Sequence, residues 1–215
     1  MTGYKVIELP FPELLASPEP HRVFSAMTPD QAQRFYDWFV GEIPSRVAEL
    51  ERAVRANPGL ASWAADLTPG SLDSLGEWFA RTVTTRPVFP GENGAIYQTG
   101  PEWFRSVKLE EWNLTDETFS LCYDIGMYLG RVMEENLPGV HWIRVTKPKN
   151  LMEYNMTALA GFAAPAVDTV GLAQSIAYGV ARGKTGGARL REVYDIWAGH
   201  ADCRRSCPTP PGSRS

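Results

Sequence analysis

Apolar residues recur at three- and four-residue steps through several stretches of the chain, and each stretch reads as a helix with one buried face. The first begins after Met27. Thr28 can cap it, Pro29 suits the first helical position, and Gln31 can close a capping box. Phe35 and Phe39 then share a face, with Trp38 beside them. Pro44 is expected to break or kink this run. Val47, Leu50 and Val54 resume the spacing, with Glu49, Glu51 and Arg52 on wetter positions, until Asn57-Pro58-Gly59 stops it. A further helix is predicted over Leu72–Thr82, marked by Leu72, Leu75 and Phe79 and followed by Val83.

The central helix is predicted from Asp116 to Glu135. Thr115 or Asn113 can cap it, and Asp116 and Glu117 suit its positive end. Phe119, Cys122, Gly126, Leu129 and Met133 form its apolar stripe. Gly126 and Gly130 cost helix propensity but permit a close neighbour. Pro138-Gly139 ends it. The period then changes. Val140–Thr146 alternates weakly, as a strand does, and Lys147-Pro148-Lys149-Asn150 is a turn signal. Leu151–Leu159 can return as a second strand, making a hairpin with a basic tip.

Thr169–Arg182 reads as a small-residue helix ending at Gly183. Leu190, Val193, Tyr194 and Trp197 mark a last helix closed by Gly199. Upstream of everything, Pro10, Pro12, Pro18 and Pro20 predict an extended arm with at most a short strand at Lys5–Leu9. The stretch from Pro87 to Pro101 reads as loop, with one short strand around Ala95–Gln98. Trp103, Phe104 and Trp112 would pin that loop to the body. The expected fold is α+β: a helix-rich N-terminal half, a central helix packed against a small antiparallel sheet, and C-terminal helices. Residues 1–199 are expected to form one domain and residues 200–215 a flexible tail.

Composition fits this picture. A chain of 215 residues with 44% hydrophobic and 21% charged positions can bury a core without metal or disulfide support. The formal net charge of -4 gives no long-range pull toward nucleic acid or anionic membrane. Neither a signal-peptide apolar segment nor an 18-residue apolar span is present, so the expected address is the cytoplasm. The three cysteines cannot all pair within one chain.

Six segments carry a likeness to known sequences: FYDWFVGEIPSRVAEL at Phe35–Leu50, SLDSLGEWF at Ser71–Phe79, and YDIGMYLGRV at Tyr123–Val132. HWIRVTKPKN at His141–Asn150, YNMTALAGF at Tyr154–Phe162 and LREVYDIW at Leu190–Trp197 complete them. Together they span most of the chain. Their order resembles a family of uncharacterised bacterial proteins associated with immunity-type or accessory genes. The resemblance implies an immunity-like role and brings no assigned catalytic or binding residues. Members often carry Glu where Arg131 stands, and Gln-Pro near Met156-Thr157, so this chain departs from them there.

Candidate chemistry is sparse. Gly183-Lys184-Thr185-Gly186-Gly187 lacks phosphate-loop spacing and follows a helix, so a solvent loop is expected in preference to an anion contact. The glycines around Gly91 and Gly94 form no dinucleotide fingerprint. His200, Cys203 and Cys207 supply three of the four ligands that zinc takes, in a tail rich in proline and charge, and no metal site is expected. Cys122 sits in a strong helical pattern and reads as core; a reactive role would need a base such as His141. Among Asp124, Glu134, Glu135 and Glu153, the pair Asp124 and Glu134 lie about 80° apart around the helix axis and form no convincing acid–base pair. Asp124, between Tyr123 and Ile125, is suited to orienting a backbone group or an arginine at a packing seam. Arg144, Lys147 and Lys149 make a basic hairpin tip, the candidate partner-binding site.

These features favour a non-enzymatic protein-binding module that masks a partner protein, with no catalytic residue, no cofactor and no metal. The alternatives are a small enzyme with a cleft between helices and hairpin, and a structural or scaffold subunit. A nucleic-acid partner is not expected, because no aromatic platform accompanies the basic residues.

Overall fold

The computed structural model describes residues 4–17, 19–88, 111–149 and 151–206, and the side chains of these except 202–206. The strand expected at Ala95–Gln98, and Trp103 and Phe104, lie outside the described residues.

A short helix α1 spans Pro20–Ala26 and was not expected; Pro20 serves as its first residue, where a missing N–H costs nothing. Helix α2 spans Pro29–Arg55, with the capping box in place: Gln31 N–H donates to Thr28 Oγ1, and Thr28 N–H donates to Gln31 Oε1. It runs through Pro44 without ending there, which corrects the expected break. Pro44 lies on the exposed side, while Ile43 before it and Arg46 and Leu50 after it are buried, so the core holds both halves in one helix. Helix α3 spans Ser71–Thr82. Strands β1 (Thr85–Pro87) and β2 (Trp112–Leu114) pair antiparallel, a pairing that the hydrophobic pattern does not predict.

Helix α4, Asp116–Asn136, is the centre of the molecule. Thr115 Oγ1 caps it by accepting Thr118 N–H. Every residue from Thr118 to Gly130 is buried, so the helix is enclosed on all sides and not along one stripe alone. Two glycines set the distances to its neighbours. A Cβ on Gly126 would lie 2.8 Å from Val170 Cα and N, at the start of helix α5 (Thr169–Ala181). A Cβ on Gly130 would lie 2.2 Å from the Trp142 ring. Trp142 belongs to β3 (His141–Arg144), which pairs antiparallel with β4 (Thr157–Ala160) in the register Trp142↔Leu159. The hairpin therefore sits on α4 as expected, although its strands are shorter and its loop longer than the alternation suggested.

Asp168 caps α5 by accepting Gly171 N–H at 3.0 Å. The last helix, α6, spans Arg189–Ser206 and passes through Gly199, where closure was expected. Ala201, beyond that glycine, is buried, His200 O accepts Ala163 N–H at 3.1 Å, and Trp197 packs edge-on against Phe162. These anchors outweigh the helix cost of one glycine, about 1 kcal/mol. Among the described residues, no helix is long and apolar enough to cross a membrane.

Candidate functional site

The loop joining β3 to β4 begins on a staple. Asn155 is fully buried and holds a positive φ of 67°, a backbone state that asparagine tolerates better than most residues. Its Nδ2 group donates to Phe24 O and Met27 O, each at 3.2 Å, so it caps the carboxyl end of α1. Its Oδ1 accepts from Arg144 Nη1 at 3.1 Å, and Arg144 Nε donates to Gln33 Oε1 on α2 at 3.0 Å. Backbone bonds close the base: Val145 N–H donates to Met156 O, and Asn155 N–H donates to Val145 O at 2.7 Å. Leu151 N–H to Pro148 O and Tyr154 N–H to Leu151 O turn the tip.

This arrangement separates the three expected cations. Arg144 is half-buried and spent on Asn155 and Gln33, so it positions the loop and does not stand at the tip. Lys147 and Lys149 are exposed. Beside them are two residues predicted to lie in the return strand: Leu151, 40% exposed, and Met152, 66% exposed. They are two of the four large apolar side chains that stand exposed among the described residues. Their alternation pointed to a strand, yet backbone bonds hold them in a turn outside the sheet. The loop thus offers an apolar tip flanked by two ammonium groups, with half-buried Glu153 behind it.

A second constellation lies at the core. Arg46 on α2 donates from Nε and Nη2 to both oxygens of Asp124 on α4, each at 2.7 Å. The Tyr4 hydroxyl of the N-terminal arm donates to the same carboxylate. Burial pushes the Asp124 carboxyl up to about 6, and the bonds from Arg46 and Tyr4 oppose it. Burial also acts to lower the Arg46 value, but the Asp124 bond and charge more than offset it, and the guanidinium moves up. At neutral pH both tendencies leave an ion pair. This is the seam-orienting role expected for Asp124, with Arg46 and Tyr4 as the partners that spacing did not reveal. A bonded, buried pair of this kind fixes the arm and two helices and holds no exposed acid or base.

A groove of about 340 Å³ between α2, α4 and β3 is lined by Tyr36, Arg131, Glu134, His141 and Trp142. Four of its polar groups are engaged: Arg131 pairs with Glu134, Tyr36 donates to Trp142 O at 3.2 Å, and His141 Nδ1 lies 2.9 Å from Gly139 O, whereas the buried Trp142 Nε1 has no hydrogen-bond partner among the described residues. Cys122 is fully buried, and burial followed by the Asp124 charge pushes its thiol up, away from thiolate chemistry. Its expected behaviour is resistance to alkylation in the native protein, with labelling only on unfolding. Mass mapping after a brief iodoacetamide pulse checks this, and rapid native labelling would overturn the core assignment.

In the glycine-rich loop, Lys184 N–H and Thr185 N–H both donate to Gly179 O. Gly187 packs on the backbone of Gly76 and Glu77, so this loop closes α5 and α6 onto α3. Among the described residues, no group of three or more His, Cys, Asp or Glu could hold a metal ion. The Cys203 side chain and Cys207 lie outside the described residues. Comparison with family models, curated proteins and solved structures returns no match for the chain.

Proposed function

We propose that this chain is a non-enzymatic protein-binding module, immunity-like in action, that masks an acidic surface of a partner protein through the β3–β4 loop. The observation that carries this reading is the exposed Leu151–Met152 tip between a stapled base and the ammonium groups of Lys147 and Lys149. An apolar centre with a charged rim is the usual anatomy of a protein interface. Methionine suits the centre because its flexible thioether adapts to an irregular pocket. The stapled base matters as much, since a loop held in place before binding loses less entropy on docking. The lysines add steering toward negative charge, although the chain as a whole is acidic.

The test is parallel capture with the parent chain and a Met152→Asp variant, followed by titration of each protein that the parent retains. A true partner is expected to bind the variant at least about tenfold more weakly, because the carboxylate would be desolvated in an apolar pocket facing acidic groups. Met152 is two-thirds exposed, so the variant keeps the parent's melting temperature. A partner that binds both forms alike would move the interface elsewhere. Turnover of a defined substrate would favour the enzyme reading.

A further inference from the structure

Beneath α1 lies a small cavity with a mixed lining. Phe24, Phe35, Phe39 and Tyr123 contribute rings, and Thr157, Asp168 and Gln174 contribute polar groups. Its free volume is about 30 Å³. A water needs about 10–15 Å³ on the same measure, so the cavity takes roughly two heavy atoms. It is not sealed, and a chain attached to such a group has a way out.

Two observations show what the cavity lacks. Thr157 is only 7% exposed, and its Oγ1 is buried with no hydrogen-bond partner among the described residues. Such a group costs free energy unless something bonds to it. The Asp168 carboxylate accepts Gly171 N–H as the α5 cap, but no Lys, Arg or His among the described residues pairs with it. Its surroundings are apolar enough that burial, first, and the Glu153 charge raise its carboxyl, with the α5 backbone bonds opposing them. Tyr123 lines the same cavity as Asp168, and burial, then the Asp168 charge, raise its phenol.

We infer that this cavity is a binding site for the head group of a small aliphatic primary amine, held by Asp168, Thr157 and the surrounding rings. An ammonium on one carbon has two heavy atoms, the size the cavity takes. It has three donors, enough for the Asp168 carboxylate and the idle Thr157 oxygen. Its charge suits both a carboxylate that has backbone N–H bonds but no cationic side chain among the described residues, and the negative faces of phenylalanine and tyrosine rings. A carboxylate or phosphate head would meet Asp168 with like charge, and a neutral alcohol would leave that charge unpaired. The inference does not rest on partner binding: Leu151 and Met152 at the loop tip are not in the cavity lining, although Met156 at the loop's base is.

The probe is n-propylammonium chloride, titrated into the full chain and followed by amide chemical shifts. n-Propanol is the neutral control, and sodium chloride controls for ionic strength. So small a ligand is limited to about millimolar affinity or weaker. Saturable shifts are expected at Tyr123, Thr157 and Gly171 with the amine and not with the alcohol. Asp168→Asn should weaken binding at least about tenfold while keeping the helix, because asparagine caps as well as aspartate. Thr157→Val removes an unpartnered hydroxyl, so it should keep the fold and weaken binding about threefold or more. The inference is overturned if the parent shows no saturable response, if propanol matches the amine, or if both variants titrate like the parent. The cavity would then be a water site.

Discussion

Arg46→Ala is expected to destabilise the fold by about 3–5 kcal/mol, the usual result of leaving one charge of a buried pair without its partner. Asp124 is wholly buried and takes both of its guanidinium bonds from Arg46. With alanine at position 46, the Tyr4 hydroxyl would be the one side-chain donor left to it. The cost therefore reflects a stranded carboxylate more than the loss of an attractive contact. The pair itself is expected to be replaceable: Arg46→Met with Asp124→Leu should recover most of the loss, since a well-packed apolar pair is often no worse than a buried ionic one. Urea unfolding of the parent, the single variant and the double variant measures all three. A single variant within about 0.5 kcal/mol of the parent would show that solvent reaches Asp124 and that the pair is not buried in solution.

Gly126→Leu is the second large effect, expected at about 1–3 kcal/mol or more. The obstacle is the backbone of α5, with Val170 Cα and N at 2.8 Å and Thr169 O at 2.9 Å from any Cβ on Gly126. Backbone cannot rotate aside as a side-chain end does, so Gly126→Ala should already lose stability despite alanine's better helix propensity. The measurement is the urea midpoint at unchanged slope. A midpoint equal to the parent's for Gly126→Leu would mean that α4 and α5 do not meet at this glycine.

Much of the fold was legible because local rules and packing agree. The capping box at Thr28 and Gln31, the cap at Thr115, and the glycines of α4 each read correctly from sequence. The failures share one cause, which is that long-range partners decided the outcome. The expected apolar stripe of α4 left out Ser120, Tyr123, Asp124 and Tyr128, but all are buried. Three of them are answered from elsewhere in the chain: Ser120 Oγ accepts Ile7 N–H, Asp124 meets Arg46 and Tyr4, and Tyr128 bonds Ser71 and Leu67. No periodicity shows that an arm and a distant loop will cover that side. Pro44 misled in the same way, because buried residues on either side of it hold α2 together.

The candidate site was legible in its charges and not in its shape. Lys147 and Lys149 stand where a basic tip was expected. Arg144 was expected beside them but is bound to Asn155 and Gln33, neither of which sequence spacing linked to it. Leu151 and Met152 were hidden by their apolarity, since such residues normally signal a buried strand. Their exposure, in a turn held by backbone bonds at Leu151 and Tyr154, shows that they face outward.

The proposed docking of this loop on an acidic protein surface should be visible in association kinetics. For a partner retained by the parent and weakened by Met152→Asp, the Lys147→Glu, Lys149→Glu double variant should associate at least about tenfold more slowly at about 50 mM salt. The difference should shrink at about 200 mM salt, where screening shortens the reach of the charges. Dissociation should change less than association. A folded double variant that associates at the parent's rate at both salt concentrations would contradict the account and remove the loop from the interface.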